Sequence, residues 1–180
     1  MNEIHTERLT IRHFKEEDAA SCFAGWGKDK NLGKYILGYP MEEQQMRAFV
    51  STLAQSEHAF VLVEKESQSC IGYITMDIPY AQLGIGEIGY VLGERYQHKG
   101  YAYEAINSVI HKYLVEKGLY MIEAKYNASN TASGALLKKL GFQIDGELRN
   151  RRIDPASGRR QNLVVCSITK EDHPEFAGSR

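Results

Sequence analysis

The chain has 180 residues, 43% of them hydrophobic and 25% charged, which suffices for one domain with a sizeable buried core. Its 22 basic and 23 acidic residues give a net charge of −1, so charge provides no general attraction to nucleic acid or to a membrane surface. No apolar run is long enough to span a bilayer and no signal peptide is apparent, so we expect a cytoplasmic protein. The chain has three cysteines, Cys22, Cys70 and Cys166. They lack metal-ligand spacing and are interpreted as buried thiols in a reducing compartment.

The first part of the chain predicts one strand followed by two helices. Residues 8–12 alternate polar and apolar side chains, which is typical of a half-buried strand. Acidic residues 16–18 stand where the dipole of a following helix favours negative charge, and the apolar stripe of that helix ends at Trp26. Residues 25–38 contain scattered glycines and are predicted to be irregular. A second amphipathic helix is predicted after Pro40.

The middle of the chain predicts a hairpin and a further strand. Residues 59–63 and 70–76 are apolar and β-branched, with a polar connection between them, and are expected to pair. Pro79 is expected to end the second of these strands, because proline cannot donate a ladder hydrogen bond. Residues 87–92 are rich in β-branched and aromatic side chains and predict the next strand.

Residues 97–102 join this strand to a predicted helix, and the rest of the chain is arranged around them. Apolar side chains recur at helical spacing from Ala102 to Leu114, and Gly118 provides a left-handed cap. The first N–H groups of a helix have no partner within the helix and carry partial positive charge, so they can bind a phosphate. Gly100 lets the backbone approach an anion without a Cβ in the way. On this glycine alone, an ordinary strand–helix loop is the better interpretation.

The last third predicts a strand, a helix and a hairpin. Residues 121–126 predict the strand. Asn130 is a favourable N-cap for the helix that follows, and Gly141 is placed to cap its C-terminus. Residues 147–153 and 162–169 are expected to pair across a turn-rich connection.

Several short motifs occur together in this order. The loop reads Gln97-x-x-Gly100-x-Ala102, the second helix after it ends in Gly141-Phe142, and residues 6–12 near the start of the chain read Thr-Glu-Arg-Leu-Thr-Ile-Arg. With residues 100–105 and 130–133, these motifs resemble the GNAT N-acetyltransferase superfamily, and in particular its branch that acetylates the N-termini of ribosomal proteins. The resemblance extends from about residue 7 to residue 171. It implies a single N-acetyltransferase domain over residues 1–180.

The resemblance also implies a fold and a cofactor. The expected fold class is α/β (α+β in some schemes), a mixed and mostly antiparallel sheet flanked by helices, with central strands splayed around acetyl-CoA. In such a protein the 97–102 loop binds the pyrophosphate, and the peptide-like pantetheine pairs with the strand ending at residue 92. No metal is expected. The implied cofactor-binding residues are Tyr90, Val91, Leu92, Gln97, His98, Lys99, Gly100, Tyr101, Ala102, Asn130 and Ser133.

The resemblance leaves the catalytic residues less defined. Ser133 is the candidate proton donor to the CoA sulfur, with filling of the first helical turn as the equally weighted alternative. Glu87 is the candidate base, but four residues of strand separate it from Val91 by about 13 Å, so it would act through water. The alternative, a solvated carboxylate at the start of a strand, is slightly favoured for Glu87. Glu104 is interpreted as complementing the helix dipole.

The acceptor site is the least specified part. By resemblance, Trp26 and Tyr35 are candidates to line the acceptor pocket, although plain packing is the better interpretation of Trp26. Asn162 and Cys166 stand where that branch commonly has aspartate and tyrosine, so its substrate does not transfer directly. Peptide N-termini, amino acids, polyamines and antibiotics all remain open as amine acceptors.

Two other function classes compete with an enzyme. A Rossmann-type nucleotide-binding module is disfavoured, because its glycine-rich fingerprints are absent and residues 59–76 predict an antiparallel hairpin. A non-catalytic acyl-CoA sensor differs from the enzyme only in turnover. No direct nucleic-acid or membrane partner is expected, and the chain could be a monomer or a homodimer.

Overall fold

Residues 3–155 and 157–173 are described by the computed structural model, in two compact units. The first unit comprises the chain up to residue 75 together with residues 90–108. The second comprises residues 76–89 and the chain from residue 109 onward. The prediction of a single domain stays a prediction.

The first unit contains an antiparallel set of strands. The strands are β1 (Ile4–His5), β2 (Leu9–His13), β3 (Ala59–Glu64) and β4 (Cys70–Tyr80), which are neighbours in that order. The predicted hairpin is confirmed, since Phe60 lies opposite Ile74 and Val61 opposite Tyr73. The predicted end before Pro79 is wrong, because β4 continues to Tyr80. Pro79 is exposed and next to the last residue of the strand, so its missing donor removes no buried hydrogen bond.

The first predicted helix of this unit is confirmed as a helical segment from Glu16 to Gly27. A 3-10 turn (Glu16–Asp18), α1 (Ala19–Cys22) and a π-helical turn (Phe23–Gly27) follow one another directly, so the expected irregularity of residues 25–27 is wrong. A Cβ at Gly25 would clash with the carbonyl oxygen of Cys70, and one at Gly27 with the side chain of Met46. These glycines therefore permit close packing within a helical segment. The predicted second helix is confirmed as α2 (Glu43–Ala54), which follows a short 3-10 turn (Leu32–Lys34).

A hydrophobic core lies between these helices and the strands of the first unit. Asp18, at the start of the helical segment, is buried in an ion pair with Arg12 of β2, and their charged atoms are 2.8 Å apart. The predicted burial of the three cysteines is confirmed. The buried core side chains include Phe14, Cys22, Trp26, Met46, Val50, Val61, Cys70 and Val91.

In the second unit the strand order is β5 (Ile85–Leu92), β6 (Met121–Asn127), β8 (Arg160–Thr169) and β7 (Gln143–Ile153). β5 and β6 are parallel, whereas the other two pairs are antiparallel. The predicted C-terminal hairpin is confirmed, but β7 begins four residues and β8 two residues earlier than expected. β5 begins in this unit and ends in the first.

Two longer helices follow β5 and β6, and their predicted caps are confirmed. α3 (Tyr101–His111) is continued by a π-helical turn (Lys112–Glu116), after which Gly118 has a φ of 71°. α4 (Thr131–Lys139) is capped by Asn130, whose side chain accepts a hydrogen bond from the N–H of Ser133 at 3.2 Å. Gly141 follows α4 with a φ of 99°.

The predicted fold class is confirmed. Over the described residues, eight mostly antiparallel strands are flanked by helices in a mixed α/β arrangement. None of the helices described is both long and apolar enough to cross a membrane. Across residues 3–155 and 157–173, no group of three or more histidine, cysteine or acidic side chains is arranged to hold a metal ion.

Candidate active site

The 97–102 loop has backbone geometry suited to binding an anion. His98 and Gly100 adopt left-handed conformations, with φ values of 59° and 84°, and α3 begins at the next residue. Alternation of this kind points successive N–H groups into one concavity, which can receive an anion. The first turn of α3 adds N–H groups that have no partner within the helix.

The end of β5 lies beside this loop in the first unit. The side chain of Gln97 donates to the carbonyl of Leu92 at 2.9 Å, which links the loop to the last residue of the strand. A Cβ at Gly72 of β4 would clash with the carbonyl oxygen of Val91, so the glycine permits close approach of the two strands. The first unit therefore brings together two predicted sets of cofactor-binding residues, 90–92 and 97–102.

β5 is longer than the stretch over which it pairs with β6. The parallel register runs from Ile85 opposite Met121 to Ile88 opposite Ala124, whereas β5 continues to Leu92. The last four residues of β5 thus follow the paired stretch. A peptide-like ligand can pair with a strand only where backbone groups are not already in a ladder.

Glu104 has a role that the sequence did not reveal. Its carboxylate, on the first turn of α3, accepts hydrogen bonds from the hydroxyl of Thr6 at 2.6 Å and from the backbone N–H of Arg8 at 2.8 Å. Burial alone would raise the pKa of Glu104, but these hydrogen bonds and those from the Arg8 side chain bring it below its usual value. Arg8 and Glu104 are 96 residues apart, so no local pattern could have paired them.

The two predicted acceptor-site residues have different environments. Trp26 is 0% exposed, and its ring centroid lies 5.1 Å from that of Tyr73 and 6.3 Å from that of Phe49. Its indole Nε1 is buried without a hydrogen-bond partner among the described residues. Tyr35 is 40% exposed. Trp26 therefore has the surroundings of a core residue, and lining of an acceptor pocket stays a prediction for both side chains.

Glu87 is held in an ion pair. Its Oε2 lies 2.6 Å from Nζ of Lys125 on β6, and Glu123 Oε2 lies 3.9 Å from the same nitrogen. The hydrogen bond that Lys125 donates to Glu87 is the main reason that the pKa of Lys125 is raised. One carboxylate oxygen of Glu87 is thus occupied, which the sequence pattern did not indicate.

Ser133 lies on the first turn of α4, next to a tyrosine that the sequence analysis did not consider. A Cβ at Gly134 would lie 2.9 Å from the hydroxyl of Tyr126, so this hydroxyl rests against the helix one residue after Ser133. Burial is the main cause that raises the pKa of Tyr126 above its usual value. Asn130, Ser133 and Glu87 all belong to the second unit.

Comparison with known proteins identifies the family. The family model described as an acetyltransferase (GNAT) domain matches residues 8–143. The chain is 33% identical over 184 residues to the uncharacterized N-acetyltransferase p20 of Bacillus licheniformis, which covers 99% of this chain and 100% of that protein. It is 29% identical over 177 residues to the [ribosomal protein uS5]-alanine N-acetyltransferase of Escherichia coli, and this alignment covers 93% of this chain and 90% of that protein.

Solved structures agree with this result. A GNAT-family acetyltransferase from Bacillus anthracis superposes with a TM-score of 0.83 at 25% identity, covering 94% of this chain and 99% of that one. Two other solved structures with this fold, a microcin C7 self-immunity acetyltransferase and a ribosomal L7/L12 α-N-protein acetyltransferase, contain acetyl-CoA and CoA respectively. The predicted family and its resemblance to the ribosomal-protein branch are confirmed, and the chain belongs to the GNAT family of acetyl-CoA-dependent N-acetyltransferases.

Proposed function

We propose that this enzyme acetylates a primary amine by direct attack on the thioester of acetyl-CoA, and that the preferred acceptor is the α-amine of a peptide or protein N-terminus. The observation that carries the proposal is the left-handed backbone at His98 and Gly100 leading into the N-terminus of α3, directly beside the end of β5. This arrangement suits a cofactor that has a pyrophosphate joined to a peptide-like arm.

The cofactor contacts follow from these elements. Backbone N–H groups of residues 97–102 receive the pyrophosphate, and the strand end at residues 90–92 pairs with the pantetheine. An N–H group near Val91 then stabilises the oxyanion that forms when the carbonyl is attacked. Asn130 and Ser133 complete the proposed cofactor-binding set on the basis of the family motif.

The reaction needs no covalent enzyme intermediate. The amine nitrogen forms a bond to the carbonyl carbon, the tetrahedral intermediate collapses, and the carbon–sulfur bond breaks to release thiolate. Positioning of the amine about 3–3.5 Å from the carbon supplies much of the rate. We assign Ser133 as the donor that passes a proton to the thiolate and regains one from water, and Glu87, through water, as the acceptor of the amine proton.

The proposed base favours a weakly basic acceptor. A peptide α-amine has a pKa of about 7.7–8.0, so roughly a tenth of it is neutral at pH 7, whereas a lysine side chain at about 10.4 is almost wholly charged. A carboxylate already engaged by Lys125, and acting through water, gives limited assistance to deprotonation. The activity stated for the Escherichia coli relative, which modifies an alanine of a ribosomal protein, is in line with this preference.

The test is acetyl-CoA turnover against a panel of amines, with release of the CoA thiol as the readout. The panel contains a peptide with a free N-terminal alanine and an internal lysine, the same peptide with its N-terminus already acetylated, a polyamine and an aminoglycoside. We expect turnover with the free peptide and little with its blocked counterpart. Turnover with the blocked peptide, or with only the small amines, would refute the α-amine assignment. Binding of acetyl-CoA without turnover of any amine would favour the sensing domain.

A further inference from the structure

Arg8 lies between β1 and β2, outside the residues assigned above to cofactor binding. We infer that Arg8 is a positioning residue, which fixes the 97–102 loop in the conformation that receives the pyrophosphate of acetyl-CoA. This role rests on the proposed function of that loop. All of its contacts described here lie within the first unit.

Arg8 binds the loop through a backbone carbonyl. One guanidinium nitrogen, Nη1, donates to the carbonyl oxygen of Lys99 at 2.9 Å. The peptide that joins Lys99 to Gly100 is planar and trans, so its N–H points away from its C=O. By holding the carbonyl of Lys99, Arg8 therefore directs the N–H of Gly100 to the opposite side, where a donor is available to an anion.

The other side of the guanidinium is anchored on α3. Nε and Nη2 of Arg8 both lie 2.7 Å from Oε2 of Glu104, whose side chain is only 17% exposed. The hydroxyl of Thr6 and the backbone N–H of Arg8 hold the same carboxylate through its other oxygen. A single side chain thus connects the loop carbonyl before Gly100 to the first helical turn after it.

A third contact fixes the plane of the guanidinium. Cζ of Arg8 lies 4.3 Å from the centre of the Tyr101 ring, in a cation–π arrangement, and the Tyr101 hydroxyl donates to Glu64 of β3. The position of a Cβ on Gly100 would be 3.3 Å from Nη2 of Arg8. Arg8 therefore contacts the residues on both sides of Gly100, namely the backbone of Lys99 and the ring of Tyr101.

These contacts require the shape of arginine. A guanidinium is planar and presents donors in several fixed directions, whereas a lysine ammonium is a compact charge without a flat face for stacking. A lysine at this position would keep the positive charge and lose the simultaneous contacts to Lys99, Glu104 and Tyr101. The charge of Arg8 and its geometry can therefore be separated by experiment.

The predicted consequence is selective for the pyrophosphate. Without Arg8 the loop must be ordered by the cofactor itself, so affinity for acetyl-CoA falls while the chemical step is unchanged. We expect Arg8→Ala to raise the Kd and KM for acetyl-CoA about tenfold, equivalent to about 1.4 kcal/mol, with kcat at saturating acetyl-CoA retained. Arg8→Lys should recover little of this loss.

The experiment compares two acetyl donors. Acetyl-CoA contains the pyrophosphate, and S-acetylpantetheine contains the same thioester and arm without it. We expect Arg8→Ala to lower kcat/KM for acetyl-CoA about tenfold and to leave kcat/KM for S-acetylpantetheine at the wild-type value. Arg47→Ala is the matched control, since it removes an exposed arginine with a carboxylate partner, Glu43, at 2.8 Å. This control should leave both values unchanged.

A second measurement tests the role of Arg8 if S-acetylpantetheine reacts too slowly for the two donors to be compared. Hydrogen exchange at the N–H of Glu104, which donates to the carbonyl of Gly100 at 3.0 Å, should accelerate in cofactor-free Arg8→Ala. Exchange in β3 and α2 should stay the same. The role of Arg8 is refuted if affinity for acetyl-CoA is unchanged, if both donors lose activity equally, or if exchange accelerates throughout the unit. Failure of the wild-type protein to bind acetyl-CoA would instead refute the proposed function, and the role of Arg8 would fall with it.

Discussion

Replacing Gly100 by glutamate is the most direct test of the cofactor loop. Gly100 has a φ of 84°, and a side chain in the left-handed region costs about 1–2 kcal/mol. A carboxylate about 5 Å from a phosphate charge adds repulsion of about 3 kcal/mol at an effective dielectric constant of 20. The Cβ of the introduced glutamate would also lie 3.3 Å from Nη2 of Arg8, so its carboxylate would compete with Glu104 for the guanidinium.

These terms together predict that the Kd for acetyl-CoA rises at least a hundredfold, since each 1.4 kcal/mol is about a factor of ten. The assay is titration calorimetry of acetyl-CoA into the cofactor-free protein, with circular dichroism to establish that the variant is folded. Gly100→Ala separates strain from charge, because it keeps the strain and adds no repulsion.

Gly118→Glu is the matched control for this substitution. Gly118 also has a left-handed φ, of 71°, and a Cβ there meets no atom within 4 Å. The control therefore imposes the same strain and the same charge away from the loop, and should leave the Kd unchanged. An unchanged Kd in folded Gly100→Glu would show that the pyrophosphate does not bind at this loop.

Three further predictions concern stability, catalysis and charge. Burial alone would raise the pKa of Asp18, but hydrogen bonds from Arg12 and from a backbone N–H, with the charge of Arg12, lower it below its usual value. The ion pair therefore stabilises the fold fully above about pH 4 and loses its contribution as the pH falls further. Asp18→Asn should lower the free energy of unfolding by about 3 kcal/mol at pH 7 and flatten its dependence on pH below 4 in urea titrations; a difference from wild type that stays constant down to pH 2 would contradict this. Glu87→Gln should lower kcat about a hundredfold if Glu87 is the base, and Ser133→Ala should cost less because a thiol leaves readily; an unchanged kcat in Glu87→Gln would leave only the Lys125 ion pair as its role. The β7–β8 hairpin carries five exposed arginines, Arg149, Arg151, Arg152, Arg159 and Arg160. If they steer an acidic acceptor, kcat/KM for the acceptor should fall with rising salt while the Kd for acetyl-CoA changes less. A kcat/KM that does not depend on salt would indicate that these arginines are only a solvated surface.

The sequence predicted the features that depend on neighbouring residues. The cap at Asn130 and the left-handed glycines at 118 and 141 follow from local backbone chemistry, and the structure confirms them. The 59–76 hairpin and the C-terminal hairpin are confirmed for the same reason, since period-2 alternation and turn residues are local signals. The loop of residues 97–102 was located by its motif and its place between a strand and a helix.

The sequence did not predict features that arise from distant parts of the chain. Gly25 and Gly27 suggested an irregular loop, whereas each permits close approach by a segment far away in sequence, at Cys70 and Met46. The ion pair of Glu87 with Lys125 joins residues 38 positions apart, and parallel register alone brings their strands together. Such pairings depend on tertiary structure, and no spacing rule within one segment encodes them.

The aromatic surroundings of Trp26 give the protein a built-in optical reporter. Trp26 is the only tryptophan of the chain, and it is fully shielded from water among aromatic rings of the first unit. A shielded indole emits at shorter wavelength than a hydrated one, so the emission maximum follows the packing of this unit alone. Far-ultraviolet circular dichroism follows the helices and strands of both units. Coincidence of the two transitions in denaturant would indicate that the units unfold together, and separation would reveal a state in which one of them has melted first.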